Sequence, residues 1–250
     1  MTDQKTALVT GASRGIGRAI AIHLAAGLRV AVHFHANRAA AEETRRLLSG
    51  EGHCLLPADL ADPDAAGRLA QDAQAALGGR VDVLVHNAGL YEPSPLLDNQ
   101  DFTAWRAAMR RQMQVNFWAG ADLAYWLAPA MASAGWGRII QISSRAGLRG
   151  EARHAGYAAS KAAQISLVRS LAAELGPSGI GCFGVAPGWA QTDMAADALA
   201  ARGEQIRAEI PLGRVATPED VASLAAFLVT PAADYLSGNT IDVNGASYLH

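Results

Sequence analysis

A tyrosine and a lysine stand four residues apart in the segment YAASK, as Tyr157 and Lys161. Residues four apart on a helix share one face, so both side chains can point into the same cleft. A phenol has a pKa near 10, and we expect a neighbouring positive charge to lower that pKa and favour the phenolate. The spacing therefore predicts a pair that transfers a proton. The alternative interpretation is a core aromatic residue beside a solvated lysine.

The choice of lysine at this position is itself informative. The chain has 21 basic residues, and all but Lys5 and Lys161 are arginines. An ammonium is compact and has three rotatable donors, which can reach ribose hydroxyls and a water from beneath a phenol, whereas the planar guanidinium is bulkier. We interpret Lys161 as a position where the chemistry requires an ammonium.

A glycine-rich segment, TGASRGIG, covers residues 10–17. Glycines at positions 11, 15 and 17 allow a tight turn, close approach of a phosphate, and close packing of the following helix, whose N-terminal amides would face the anion. Such a turn can also be a plain turn. Its place between the first predicted strand and an amphipathic helix favours a dinucleotide-binding unit.

Short apolar runs alternate with Ala-rich stretches of helical length along the whole chain. Continuous apolar character in the runs indicates strands that are buried on both faces, and strand–helix alternation implies right-handed crossovers. We therefore predict an α/β fold, a doubly wound, mostly parallel, Rossmann-like sheet of seven strands with helices on both faces, and one domain over residues 1–250. The predicted strands cover residues 6–10, 29–34, 53–57, 81–86, 138–143, 180–186 and 240–244.

Composition limits the class of partner. Charged residues make up 18% of the chain and the net charge is -2, so no basic field is present to hold nucleic acid or an anionic membrane. Cys54 and Cys182 are isolated thiols, which suits a reducing compartment. The seven histidines are scattered without metal-ligand spacing. With no signal segment or transmembrane run apparent, we expect a cytoplasmic protein that binds small molecules and no metal.

Six motifs fall in the order and at the spacings of one known family. The motifs are TGASRGIG (10–17), HNAG (86–89), Asn116 in MQVNFWAG, Ser144 in IIQISSRAG, YAASK (157–161) and APGWAQT (186–192). With them the chain resembles the short-chain dehydrogenase/reductase family, in its compact one-domain branch, and is similar to 3-oxoacyl-acyl-carrier-protein reductases. His86 departs from the family pattern, which usually has asparagine there.

The resemblance implies a catalytic set of Asn116, Ser144, Tyr157 and Lys161. Tyr157 would give a proton to a carbonyl oxygen or take one from an alcohol, while a nicotinamide cofactor carries the hydride. Ser144, selected over its neighbour Ser143 by the family spacing, would hold the reacting oxygen. Asn116 would use its backbone, in a helix irregularity, to anchor a water that connects Lys161 to solvent.

Cofactor selectivity depends on the end of the second predicted strand. Phe34 occupies the position where NAD-selective members carry an acid, while Arg14 and Arg38 could hold a 2'-phosphate. We therefore predict NADP, with NAD as the alternative if these arginines are surface charges. The expected cofactor contacts are Gly11, Ser13, Arg14, Gly15, Ile16, Gly17, His35, Asn37, Arg38, Asp59, Leu60, Asn87, Ala88, Gly89, Tyr157, Lys161, Pro187, Gly188 and Thr192.

The substrate is less determined than the chemistry. Gly135 and Ser178 stand where the acyl-carrier-protein reductases have two arginines that dock an acidic partner, so we favour a small carbonyl compound or alcohol and keep that reductase as an alternative. A second alternative is a non-catalytic dinucleotide sensor. An enoyl reductase is disfavoured because its Tyr and Lys lie further apart. Candidate substrate contacts are Tyr91, Arg145, Arg149, Arg153, His154 and Trp189.

Quaternary structure is predicted mainly from the resemblance. The two long Ala-rich helices predicted around residues 101–134 and 155–175 carry more small and apolar positions than one sheet face needs. We expect them to bury against symmetry mates in a homotetramer.

Overall fold

A computed structural model describes residues 4–97 and 101–250, and within these residues seven parallel strands form one sheet. The order across the sheet is β3-β2-β1-β4-β5-β6-β7. The predicted parallel, doubly wound architecture is confirmed, and each strand bound lies within two residues of the prediction. The strands are β1 (Thr6–Val9), β2 (Arg29–Phe34), β3 (Cys54–Pro57), β4 (Val83–His86), β5 (Gly137–Ile142), β6 (Ile180–Pro187) and β7 (Thr240–Val243).

Helices cover both faces of this sheet. The α-helices of the described residues are α1 (Gly15–Ala25), α2 (Arg38–Leu47), α3 (Ala65–Ala76), α4 (Phe102–Met113), α5 (Ala119–Ser133), α6 (Ala146–Arg149), α7 (Ala155–Leu175), α8 (Ala196–Ala208) and α9 (Pro218–Leu228). Successive residues of a strand point to opposite faces, which explains the continuous apolar runs. In β1, Ala7 and Val9 pack in one core cluster with α1 and α9, whereas Leu8 packs in the other with α3 and α5.

The strand order reverses at β1, whose neighbours are β2 on one side and β4 on the other. In an open parallel sheet, such a reversal leaves a crevice at the carboxyl ends of the strands, where ligands bind. Each predicted motif except Asn116 follows the carboxyl end of a strand or begins the helix after it. The fold therefore brings segments that are far apart in sequence to one edge of the sheet.

The long helix predicted around residues 101–134 is interrupted. A π-helical turn, Gln114–Trp118, separates α4 from α5 and contains Asn116. The helix predicted at 155–175 is continuous and forms α7. The irregularity that the resemblance implied at Asn116 is thus present, and the interruption is a correction to the single helix predicted there. None of the helices in residues 4–97 and 101–250 is long and apolar enough to cross a membrane.

Candidate active site

A cavity of about 930 Å³ opens at the carboxyl ends of the strands. Its walls come from the turn after β1, the loops after β2 and β3, the ends of β4, β5 and β6, and the first turns of α7. Tyr157, Lys161 and Ser144 line it together with the glycine turn. The two motifs that the sequence identified separately, the phosphate-binding turn and the Tyr–Lys pair, therefore belong to one site.

The glycine turn has the geometry that an anion requires. Gly11 and Gly15 have φ angles of 62° and 55°, in the left-handed region that favours glycine. A Cβ on Gly17 would lie 2.3 Å from the Gly11 carbonyl oxygen. The backbone can therefore close tightly only with glycine at this place. The α1 helix begins at Gly15 and directs its N-terminal amides at the cavity, so the turn fits a phosphate group.

A buried histidine supports this turn from the neighbouring strand. The His33 Nδ1 atom accepts a hydrogen bond from the Gly11 amide at 3.0 Å, and Nε2 lies 3.1 Å from the Ala58 carbonyl oxygen. Because Nδ1 is an acceptor, the ring proton must be on Nε2, which donates to Ala58. Burial lowers the pKa of His33 to about 4, so the ring is neutral at pH 7. The sequence interpretation missed this residue.

His86 joins three parts of the site in a second buried network. The Thr10 hydroxyl lies 3.2 Å from His86 Nδ1 and accepts bonds from the Asn87 and Ala88 amides at 3.0 and 2.9 Å. On the other side of the ring, Nε2 lies 3.1 Å from the Val115 carbonyl oxygen. Burial, and then the charge of Lys161, lower the pKa of His86 to about 3. A neutral ring that donates from Nε2 satisfies every contact.

Tyr157 and Ser144 both line the cavity, and the serine hydroxyl lies near enough to the phenol to lower its pKa. The adjacent Ser143 is buried, and its hydroxyl donates to the Lys161 backbone carbonyl at 2.8 Å. Both serines line the cavity, but the Ser143 hydroxyl is occupied in holding α7 against β5. The role of Ser144 at the reacting oxygen stays a prediction.

The pKa of Tyr157 differs from the expectation. Burial raises it to about 12, and the neighbouring Ser144 hydroxyl offsets only part of this rise. The expected lowering by Lys161 is a correction, because the Lys161 Nζ atom lies 5.6 Å from the centre of the phenol ring and points at other acceptors. Tyr157 is therefore a neutral phenol at pH 7, which is the form that can donate a proton.

Lys161 is held by a chain of buried polar groups. Its Nζ atom donates to the Ile142 carbonyl oxygen at 2.8 Å and to Gln164 Oε1 at 3.0 Å. The Gln164 amide then donates to Gln141 Oε1 at 3.1 Å. Burial lowers the pKa of Lys161 to about 7. Gln164 and Gln141 are fully buried, and the sequence interpretation did not identify either of them.

Asn116 lies in the π-helical turn and does not line the cavity. Its side chain accepts from the Leu90 amide at 2.7 Å and donates to the Leu90 carbonyl and the Ser160 hydroxyl at 3.0 and 2.9 Å. Its backbone carbonyl oxygen lies 3.3 Å from His86 Nε2. The side chain thus anchors the loop that follows β4, and the water-binding role of the backbone stays a prediction.

Three predicted cofactor contacts, Arg14, Asn37 and Arg38, differ in whether they line the cavity. Arg14 lines the cavity and its side chain, 65% exposed, pairs with Asp193 at 3.0 Å. Arg38 instead pairs with Glu42 at 3.2 Å, and Asn37 caps α2 by accepting from the Ala40 amide. Neither of the latter two side chains lines the cavity. Their local partners within α2 explain why they turn away from it.

Most of the predicted cofactor contacts line this cavity. The exceptions are Gly17, which lies behind the turn, Asn37 and Arg38. Phe34 is buried in the core, so the end of β2 presents no carboxylate, and His35 and Asp59, 3.6 Å apart, face the cavity instead. The cavity-lining members of the predicted set are Gly11, Ser13, Arg14, Gly15, Ile16, His35, Asp59, Leu60, Asn87, Ala88, Gly89, Tyr157, Lys161, Pro187, Gly188 and Thr192.

The substrate end carries aromatic and charged side chains. The Tyr91 ring stacks on the His154 ring with 4.1 Å between the ring centres, and it meets the Tyr157 ring edge-on with 4.8 Å between the centres. Of the candidate contacts, Tyr91, Arg145 and Trp189 line the cavity, whereas Arg149, Arg153 and His154 do not. In the described residues, no group of three or more His, Cys, Asp or Glu side chains could hold a metal ion.

Comparison with known proteins agrees with this architecture. A family profile described as enoyl-(acyl carrier protein) reductase matches residues 11–246. The chain is 36% identical to a 3-oxoacyl-[acyl-carrier-protein] reductase of Staphylococcus aureus, covering 98% of both chains.

Two solved structures superpose with TM-scores of 0.88. One, described as a short-chain dehydrogenase/reductase, glucose/ribitol dehydrogenase, from Brucella melitensis, is 31% identical and covers 99% of this chain and 98% of that one. The other, a candidate NAD(P)-dependent gluconate 5-dehydrogenase from Beutenbergia cavernae with NADP bound at low occupancy, is 37% identical over 98% and 97% of the chains. These relatives are oxidoreductases that act on CH–OH groups. The chain belongs to the short-chain dehydrogenase/reductase family.

Proposed function

We propose that this protein is an NADP(H)-dependent oxidoreductase that interconverts a small carbonyl compound and its alcohol. The observation that carries the proposal is that Tyr157, Ser144 and Lys161 line the same cavity as the glycine turn. A proton donor, a second group for the reacting oxygen and a phosphate cradle are the parts that such a reaction needs.

The chemistry follows from the protonation states. A bound nicotinamide would supply the hydride for the carbonyl carbon, and the electron pair of the C=O bond would move onto oxygen. Tyr157 donates its proton to that oxygen, while Ser144 holds the oxygen by a hydrogen bond. Lys161, whose pKa is about 7, can then return a proton to the phenolate. The raised pKa of Tyr157 keeps its proton in place until the oxygen becomes basic.

The cofactor choice rests on charge. Arg14 lines the cavity, and the buried Phe34 leaves the end of β2 without the carboxylate that would bind a ribose 2'-hydroxyl. The NADP bound to the relative from Beutenbergia cavernae supports the same choice. The pairing of Arg14 with Asp193 is exposed, so the guanidinium can exchange that partner for a phosphate at little cost.

The proposal includes three statements about the whole protein. Residues 1–250 act as one dinucleotide-binding and catalytic domain in the cytoplasm. The protein is a homotetramer, and exposed aromatic side chains on the predicted interface helices support this assembly. These side chains are Phe102, Trp118, Tyr125 and Trp126.

Reduction of 3-oxoacyl groups on acyl carrier protein is the second candidate, favoured by the relative from Staphylococcus aureus. The two positions expected to dock the acidic partner, Gly135 and Ser178, provide no positive charge. Enoyl reduction fits the site less well, because Tyr157 and Lys161 lie one turn apart on α7. A non-catalytic sensor would not need the Ser144–Tyr157–Lys161 set.

Replacement of Tyr157 by phenylalanine tests the proposal. Y157F removes only the hydroxyl, so we expect at least a hundredfold loss of carbonyl-dependent NADPH oxidation with nearly unchanged NADPH binding. The matched control is Y235F, at a fully exposed tyrosine outside the cavity, which should keep full activity. NADPH oxidation would be followed by absorbance across a panel of aldehydes, ketones and keto acids. Turnover by Y157F at the parent rate would refute the mechanism.

A further inference from the structure

Arg145 follows Ser144 directly and is buried, although it lines the cavity. Its backbone amide donates to the Pro187 carbonyl oxygen at 3.0 Å, which fixes the start of the side chain between the ends of β5 and β6. As a whole residue Arg145 is 97% removed from solvent, and a largely buried guanidinium is costly unless it is paired. Its position beside the reacting oxygen makes its partners relevant to substrate binding.

The guanidinium has no carboxylate partner in the residues that the structure describes. Its Nη1 atom donates to the Ser247 hydroxyl at 2.6 Å, and no described Asp or Glu lies within 4.0 Å of it. The other guanidinium nitrogens have no acceptor within residues 4–97 and 101–250, yet they are not sealed in the interior as Arg138 Nε is. They therefore keep accessible surface while the residue lines the cavity.

The carboxylates near this site form no ion pair with Arg145. Glu151, which also lines the cavity, is paired with Arg149 at 3.2 Å, and Arg202 lies over the Trp189 ring at 5.5 Å. Burial lowers the pKa of Arg145 and the Arg149 cation lowers it further, whereas the more distant Glu151 and Glu209 raise it. An anion in the cavity would relieve the effects of burial and of Arg149.

We propose that Arg145 binds a carboxylate group of the substrate, so that the physiological substrate is a short keto acid or hydroxy acid. This inference rests on the proposed function and names the class of substrate that the function takes. A planar guanidinium fork matches a carboxylate with two parallel hydrogen bonds. Because Arg145 adjoins Ser144, the carboxylate lies within one arginine side chain of the carbonyl group, which excludes long chains between the two.

The first experiment measures binding without turnover. Calorimetry would compare cyclohexanecarboxylate, which has no carbonyl to reduce, with neutral cyclohexanecarboxamide, each added to the NADP-loaded protein. We expect the carboxylate to bind at least tenfold more tightly than the amide to the parent protein, and equally weakly to R145L. The matched control R45L, at an exposed arginine of α2 outside the cavity, should keep the parent preference.

The second experiment measures turnover with keto acids and their methyl esters, in which about two to four carbons separate the carbonyl from the carboxyl group. We expect kcat/KM for the best acid to exceed that for its ester by tenfold or more, and R145L to remove this preference while reduction of the ester persists. R145K should restore part of the preference. A lower melting temperature of R145L with an intact preference for acids would show that Arg145 only tethers the C-terminal loop through Ser247.

The binding and turnover experiments together distinguish failure of the carboxylate site from failure of the proposed oxidoreductase activity. Equal binding of carboxylate and amide to the parent protein would overturn the carboxylate site, whatever the enzyme reduces. Carboxylate-selective binding through Arg145 without NADPH oxidation by any carbonyl compound would support the site and refute the proposed oxidoreductase activity.

Discussion

The buried ammonium of Lys161 makes stability depend on pH in a window where few other groups titrate. Its pKa in the folded protein is about 7, against an ordinary value of 10.5, and burial is the cause. Between these two values the unfolded chain binds a proton that the native protein does not. The free energy of unfolding therefore increases as pH rises through this window.

The size of the effect follows from the two pKa values. Between pH 7 and pH 9 the native lysine changes from half protonated to almost fully deprotonated, while the unfolded lysine stays protonated. At 1.36 kcal/mol for each unit, the expected gain is about 2 kcal/mol. This gain is large against a total stability of about 5 to 15 kcal/mol.

Other shifted groups titrate mostly outside the range from pH 7 to pH 9. His33 and His86 have pKa values of about 4 and 3 in the native protein, so the rise in stability that accompanies their deprotonation is nearly complete once pH exceeds 6.5. Burial raises the pKa of Cys182 to about 12 from 9.0, and Tyr157 reaches about 12 from 10.0. These two groups reduce stability only above about pH 9 and pH 10, because the unfolded chain then loses protons that the native protein retains.

The assay is urea unfolding of the cofactor-free protein, followed by tryptophan fluorescence at pH 7, 8 and 9 and one protein concentration. The parent should gain about 2 kcal/mol, whereas K161M, of similar length and without charge, should show a flat profile. K5M, at the other, exposed lysine, should keep the parent slope. A parent profile without a rise, or an equal rise in K161M, would refute the assignment of a depressed lysine pKa.

Two further predictions concern the cofactor end. G17A should reduce both NADP binding and the free energy of unfolding, because the new Cβ would lie 2.3 Å from the Gly11 carbonyl oxygen and 2.5 Å from the side-chain nitrogen of Asn87. Fluorescence titration and thermal melting would measure both, and an unchanged melting temperature would contradict the close packing. R14Q should weaken NADP binding by about tenfold to a hundredfold and leave NAD binding unchanged, because it removes a charge-assisted contact to the 2'-phosphate. Equal loss of affinity for both cofactors would show that Arg14 does not bind the 2'-phosphate.

The parts of this structure that sequence predicted well depend on local pattern. Buried strands show as continuous apolar runs, so the seven strands and the parallel character of the sheet could be inferred before any contact was known. The glycine turn and the Tyr157–Lys161 spacing are likewise local, because each is complete within eight residues or one helical turn. The structure places both on one cavity, as the order of the motifs implied.

The parts that sequence missed depend on contacts between distant segments. Thr10 and His86 are 76 residues apart, and the His86 ring then reaches the π-helical turn some 30 residues further on. A histidine in an apolar strand gives no local sign of these partners. The predicted lowering of the Tyr157 pKa was wrong for the same reason, since burial by the whole fold outweighs a charge four residues away.

The preference for lysine over arginine at position 161 now has a structural explanation. The ammonium has three donors, and the Ile142 carbonyl and the Gln164 side chain accept two of them, which leaves one for the cavity. A guanidinium at the same buried place would bring five donors and would lack acceptors for most of them. Its pKa would also stay far above 7, so it could not release a proton towards Tyr157 as Lys161 can. Charge alone would have permitted arginine here. Proton exchange at a buried position with two hydrogen-bond acceptors requires an amine.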